Sequence, residues 1–316
     1  MKIIKYASLN AGPKLIITGA VHGNEKAGAE AIAMAMDFLD QNELTRGSVT
    51  FVPVVNEKAY ELNERGAPTN LNRDLKILAT PITNEEKIAT RLCPELAAND
   101  VLLDLHSFKV GDEPFALIGP RNNIDTPEPF RFASEEEDIV KVLGVRTIAF
   151  GWLASNAFNS FDDNAFYSDT EAFTPPDPLS NIRFAVGTTE YTRSNGGYAC
   201  TLECGQHADP NAKNVGYNAI LNALQLLNML DRDVAPPKPD YRCIEMQAPM
   251  FRTCEEETLA PDFKNFSPIA KGQALTYKDG APKKVALQDG FIMFPGYASG
   301  VGEKMGYFAT ASDRIS

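Results

Sequence analysis

The sequence predicts an α/β protein, a largely parallel or mixed sheet flanked by helices, with a small β-rich unit at its C-terminal end. Three observations carry this. Over the first two thirds of the chain, short apolar runs alternate with helix-forming stretches, the pattern of strands joined through crossover helices. Residues 231–241, DRDVAPPKPDY, combine charge with three prolines and mark the best boundary in the chain. Beyond that boundary, short β-like runs are separated by KDG and QDG turn signals.

Taken in order, KLIITGAV (14–21) reads as a buried strand. EKAGAEAIAMAMDFLDQ (25–41), rich in strong helix formers, is the helix that follows, and SVTFVPVV (48–55) is the next strand. NEEKIATRLCPELA (84–97) is helical with an expected break at Pro94. DVLLDLH (100–106) and GYACTLECG (197–205) return to strand, and KNVGYNAILNALQLLNML (213–230) is an amphipathic helix. Residues 150–195, with Trp152, several Phe and Tyr, and FTPPDPLS, are too irregular for either period and suit pocket walls and lids. The expected organisation is a catalytic domain over 1–232 and a β-rich domain over 241–316.

Composition narrows the function classes. A 316-residue chain with 44% hydrophobic residues can bury a large core without disulfides. The net charge of -12 repels phosphate backbones and anionic lipid, so neither nucleic acid nor a membrane is an expected partner. An acidic small-molecule substrate then needs a local basic pocket. Five cysteines, odd in number and without a CxxC pair, argue for reduced structural thiols. No run approaches the ~18 apolar residues of a membrane span, and the N-terminal apolar stretches are broken by Asn10, Gly12, Pro13 and Lys14, unlike a signal peptide. The expected location is cytoplasmic; the oligomeric state is not legible.

The chain has only three histidines, and two of them end apolar runs. His22 and Glu25, in GAVHGNEKAG, follow the first strand; His106 ends DVLLDLH; Glu203 ends GYACTLE. Ligands collect at the carboxyl ends of strands in open α/β sheets, so these positions can converge. Two imidazoles and one carboxylate form a catalytic zinc set, which leaves a position open for water and makes that water acidic enough to attack near neutral pH. Asp104 suits either the orientation of a ligand or a satisfied buried carboxylate, and Glu203 outside the set suits a general base. Each residue alone has a plainer explanation: helix-start capping for His22 and Glu25, a hydrogen-bonded imidazole for His106, an ion pair for Glu203. His207, in GQHADP, reads as a loop histidine.

The ordered motifs GAVHGNEKAG, NEKAYELNERGAPTNLNRDL, LDLHS and TLECG resemble the aspartoacylase and succinylglutamate desuccinylase branch of the zinc carboxypeptidase-like superfamily. The C-terminal FKNFSPIAKGQAL and QDGFIMFPG are similar to that branch's small β domain. The resemblance implies one zinc ion held by His22, Glu25 and His106, with Glu203 as general base and acid. It implies that Arg65 polarises the scissile carbonyl and stabilises its oxyanion, that Asn72 and Arg73 bind the substrate's free carboxylate, and that Arg193 binds a second anion. The branch usually has Asp where this chain has Asn70, which alters how that loop is braced. An aromatic from the C-terminal domain reaches the substrate channel in the family, and neither Tyr297 nor Tyr307 aligns with it from sequence.

The function that follows is a zinc-dependent amidohydrolase, a deacylase cleaving the amide bond of an N-acyl amino acid, with a dicarboxylic substrate as the finer expectation. Two alternatives stand beside it: a metallocarboxypeptidase or amidase trimming small peptides, and a metal-free binding protein on the same scaffold.

Overall fold

The computed structural model of the protein describes residues 1–125, 128–157, 165–170, 182–232 and 234–315. The chain begins with strands β1 (Ile4–Ala7) and β2 (Lys14–Gly19), helix α1 (Ala27–Leu39), strand β3 (Ser48–Val52) and helices α2 (Glu57–Leu62) and α3 (Asn84–Ala97). It continues through β4 (Val101–Phe108), β5 (Phe115–Leu117), α4 (Ala133–Val142), β6 (Thr147–Phe150), α5 (Trp152–Asn156), β7 (Tyr167–Asp169), α6 (Thr188–Ser194), β8 (Tyr198–Gln206) and α7 (Ala212–Leu226). The C-terminal part is all strand: β9 (Arg242–Phe251), β10 (Glu257–Leu259), β11 (Pro268–Ile269), β12 (Ala274–Lys278), β13 (Ala281–Ala286), β14 (Gly290–Met293) and β15 (Lys304–Ser312).

Eleven strands form one mixed sheet in the order β1-β3-β2-β4-β8-β5-β6-β9-β15-β14-β11. Its centre is parallel, β3, β2, β4 and β8 running side by side, and the direction reverses where β5 pairs antiparallel with β8. The expected α/β class with a mixed sheet is what the chain adopts. The second, four-stranded antiparallel sheet has the order β10-β12-β13-β7. Hydrogen bonding does not stop at residues 231–241: β9 pairs parallel with β6, so the C-terminal strands extend the main sheet. Strand β7, from the irregular region, pairs with β13 in the small sheet. The FTPPDPLS stretch lies outside the described residues.

Both faces of the parallel centre are covered, which is why its strands read as unbroken apolar runs rather than alternating ones. Leu15, Ile17, Leu103, Leu105 and Leu202 pack on one side with residues of α1, α4 and α7. Ile16, Leu102 and Ala199 pack on the other with Leu92, Cys93 and Leu96 of α3. Helix α3 begins with a capping box between Thr83 and Glu86 and runs through Pro94 without a break. Burial of Ala89, Leu92, Cys93 and Leu96 on one face outweighs the single backbone hydrogen bond that proline forfeits. Glycine is required where the loop carrying His22 and Glu25 crosses α2, because a Cβ on Gly23 would lie 1.9 Å from the carbonyl carbon of Ala59.

Among the described residues no helix is long and apolar enough to cross a membrane. All five cysteines are free, and four of them are buried.

Candidate metal centre and active-site cavity

Register brings the site together. In the parallel pair β4 and β8, His106 and Glu203 are partners, and β2, whose end leads into His22, is the neighbour of β4 on its other side. His22, Glu25 and His106, all buried, offer ligand atoms within 4.8 Å of one another.

The hydrogen bonds around this set decide which atoms face inward. Asn70 Oδ1 accepts from the Asn72 amide at 3.0 Å, so it is the oxygen that meets His22 Nε2 at 3.0 Å, and that nitrogen must donate. His106 Nε2 lies 2.9 Å from the Asp104 carboxylate and donates in the same way. Both Nδ1 atoms are therefore left with lone pairs, and both face Glu25 at 2.8 Å. Two lone pairs directed at one carboxylate need protons or a cation between them, which is the arrangement a metal ion resolves. Asp104 is itself fixed by the Thr18 hydroxyl at 2.6 Å and the Thr188 hydroxyl at 2.5 Å. Asn70 thus does for His22 what Asp104 does for His106.

Without a cation the set shares its protons unevenly. Burial pushes His22 down to about 4. Burial also opposes charge on His106, but the Asp104 and Glu25 carboxylates overcome it and hold the imidazole well above its ordinary value. Burial works against the Glu25 carboxylate too, yet the two imidazoles keep it well below its usual range. Glu203 differs: burial first, then repulsion from Glu25, pushes its carboxyl up to about 8. Its Oε2 and the Oδ1 of Asn24 are buried without a hydrogen-bond partner. Orphaned buried oxygens beside a histidine-carboxylate set fit a site that takes up a cation and water.

All eight residues singled out from sequence line one cavity of about 580 Å³: His22, Glu25, Arg65, Asn72, Arg73, His106, Arg193 and Glu203. Arg65 is half-exposed and donates to Glu25 Oε1 at 3.1 Å, over the histidine-carboxylate set. The Asn72 side-chain oxygen accepts from the Thr188 amide at 2.8 Å, which leaves the Asn72 NH2 group available to the cavity. Arg73 stacks over Trp152 with its guanidinium carbon 4.9 Å from the ring and donates to the Asn72 carbonyl. Burial, then the like charge of Arg65, brings its pKa down to about 10.

Arg193 departs from expectation. Its guanidinium donates to Glu136 at 2.7 Å, Glu128 at 3.0 Å, Glu190 at 3.3 Å and the Ala199 carbonyl at 2.9 Å. Three carboxylates more than offset its charge, so in this structure it braces α6 against β8 and α4 rather than presenting a free cation to a second anion.

Several cavity residues are not among those the sequence assigned to the site. The C-terminal segment contributes Phe294, Lys304 and Tyr307. Lys304 and Tyr307 both contact the Asn156 side-chain oxygen. Lys304 makes no ion pair among the described residues. Tyr307 lines the cavity, whereas Tyr297 is surface-exposed and bonds the Ala260 and Phe263 carbonyls. His207 also lines the cavity, bonded through Nδ1 to the Ser107 hydroxyl at 2.8 Å. Nothing local in the sequence marks Lys304 or His207; Asp104, a charge inside an apolar strand, does stand out there.

The fold and the strand-end set together define an α/β protein with a mixed eleven-stranded sheet, a second small antiparallel sheet and a buried histidine-carboxylate set. Residues 11–115 match the succinylglutamate desuccinylase/aspartoacylase catalytic domain. The fold is that of solved structures at low identity. A succinylglutamate desuccinylase/aspartoacylase from Rhodobacter sphaeroides is 16% identical with a TM-score of 0.69, the match covering 96% of this chain and 87% of that one. A succinylglutamate desuccinylase from Vibrio cholerae is 16% identical with a TM-score of 0.69, covering 97% and 85%. The product-bound ectoine utilization protein EutE (DoeB) from Ruegeria pomeroyi is 17% identical with a TM-score of 0.67, covering 95% and 86%. No curated protein matches the sequence. Residues 11–115 therefore carry the likeness to this catalytic domain on a fold shared with these structures, and the buried His-Glu-His set is consistent with a metal site.

Proposed function

We propose that the protein is a zinc-dependent deacylase that hydrolyses the amide bond of an N-acyl amino acid. One observation carries the reading: a buried Glu203 carboxyl with an unpartnered oxygen shares a cavity with the His22, Glu25 and His106 set. When held by those three residues, zinc supplies the Lewis acidity that makes water reactive near neutral pH. Glu203 takes the proton of the attacking water and hands it to the departing nitrogen, so that the C–N bond breaks as a carboxylic acid and an amine are formed. Arg65 donates to the carbonyl oxygen as negative charge gathers there. Arg73 and the Asn72 NH2 group hold the α-carboxylate by charge-assisted hydrogen bonds.

Arg193 in this reading positions α6. Lys304, a cavity cation without a carboxylate partner among the described residues, is the better candidate for a second anionic group on the substrate. The names of the similar structures, succinylglutamate desuccinylase among them, support acylated amino acids as the substrate class. Against extended peptides stands the cavity wall formed by Phe294, Lys304 and Tyr307 of the C-terminal segment.

The test is a kcat/KM panel of zinc-loaded protein on N-acetyl and N-succinyl amino acids against dipeptides. Turnover of the acyl amino acids, a higher KM for every one of them in Arg73→Ala, and a kcat loss in Arg65→Ala support the reading. Faster turnover of dipeptides would transfer the site to a peptidase.

A further inference from the structure

Ser107 follows His106 on β4, and its side chain is almost fully buried, 2% exposed as a residue. Its amide donates to Glu25 Oε2 at 3.1 Å, while its hydroxyl meets His207 Nδ1 at 2.8 Å. That contact is the hydroxyl's one hydrogen bond among the described residues. A buried O–H without an acceptor is costly, so the arrangement that satisfies Ser107 is the one in which its hydroxyl donates and Nδ1 accepts. The proton of the neutral imidazole then resides on Nε2. That nitrogen has no partner among the described residues, and His207 lines the cavity immediately beyond β8, four positions after Glu203.

Different parts of the cavity hold His207 and Arg73. His207 is bonded to Ser107, whose amide meets the Glu25 carboxylate, whereas Arg73 stacks over Trp152 and bonds the Asn72 carbonyl. With its α-carboxylate on Arg73 and its scissile carbonyl at the His22, Glu25 and His106 set, a ligand has its acyl group free to reach His207.

We infer that His207, locked by Ser107, is a specificity-determining residue whose Nε2–H donates to an oxygen carried by the acyl group beyond the scissile carbonyl. The inference rests on the deacylase reading for the identity of the ligand, but the locked tautomer does not. The pair selects acyl groups that bring an acceptor to it, because an apolar acyl chain leaves the Nε2–H desolvated and unmatched.

Two measurements test it. With only three histidines in the chain, ¹⁵N spectra of histidine-labelled, zinc-loaded protein resolve the His207 ring, and the expected species is the Nε2–H tautomer, shifted at Nε2 by added succinate. Kinetically, His207→Ala should lower kcat/KM for an N-succinyl amino acid by about 10- to 100-fold, through KM, and barely change its N-butyryl counterpart. His207→Gln, which keeps an N–H donor, should recover most of the loss, and Ser107→Ala should reproduce part of it. An Nδ1–H tautomer overturns the inference, as does an equal loss on succinyl and butyryl substrates or loss of zinc in His207→Ala. If the wild type turns over neither substrate, the deacylase reading fails, and the tautomer and the succinate response still decide the role of His207.

Discussion

Replacing Glu203 by Gln should make the protein a poorer catalyst and, once stripped of metal, a more stable one. The substitution keeps the shape of the side chain and removes its charge. In the zinc-loaded enzyme the amide cannot accept the proton of water, and kcat should fall by ~10²- to 10⁴-fold while metal content stays at the wild-type level. In the metal-stripped protein the effect comes through linkage. Burial and the Glu25 carboxylate raise the Glu203 carboxyl from 4.5 to about 8. The folded chain then binds a proton that the unfolded chain has already released, so wild-type stability declines as pH rises from about 4.5 to about 8. At about 1.4 kcal/mol per pH unit, the ceiling on that decline is about 5 kcal/mol. Even half of that ceiling corresponds to roughly 4 °C in melting temperature for a chain of this size. The assay is thermal unfolding of both proteins in chelator at pH 5 and pH 9. The Glu203→Gln variant and the wild type should melt together at pH 5, and the variant should melt higher at pH 9, with the gap closing when zinc is restored. A constant gap across this range, or a variant that is less stable at pH 9, would mean that Glu203 is ionised throughout and is held by a partner, refuting the isolated-carboxyl argument.

Three further outcomes follow from the same geometry. His22→Ala, Glu25→Ala and His106→Ala should each abolish stoichiometric zinc by elemental analysis, and Asn70→Leu, which frees the His22 ring, should weaken zinc affinity ~10- to 100-fold with the three ligands intact; full affinity in Asn70→Leu would remove its orienting role. Arg193→Met should destabilise the protein by ~3–5 kcal/mol, since Glu128, Glu136 and Glu190 lose their shared counter-ion. A stable Arg193→Met protein that selectively loses dicarboxylic substrates would return Arg193 to anion binding.

The sequence by itself determined what depends on near neighbours. Apolar runs such as LIITG and VLLDL marked strands, a run of strong helix formers marked α1, and an amphipathic pattern marked α7. Residue types at three strand ends, with the HGNE, LDLH and TLEC motifs, pointed to a histidine-carboxylate set without any geometry. Pro94 shows the limit of that local logic, because the preference of one residue yields to the burial of a whole helix face. Tertiary structure decided the rest. The strand register makes partners of His106 and Glu203, which lie far apart in the chain. The fold of the 70–72 loop turns Asn70 into the acceptor for His22. Packing of α4 and α6 surrounds Arg193 with carboxylates, and the extension of the main sheet through β9 and β15 carries Lys304 and Tyr307 to the cavity. Propensity and periodicity act over one or two turns of chain, whereas the charge a side chain meets in a cavity is set by residues brought from distant parts of the sequence, and no local pattern encodes them.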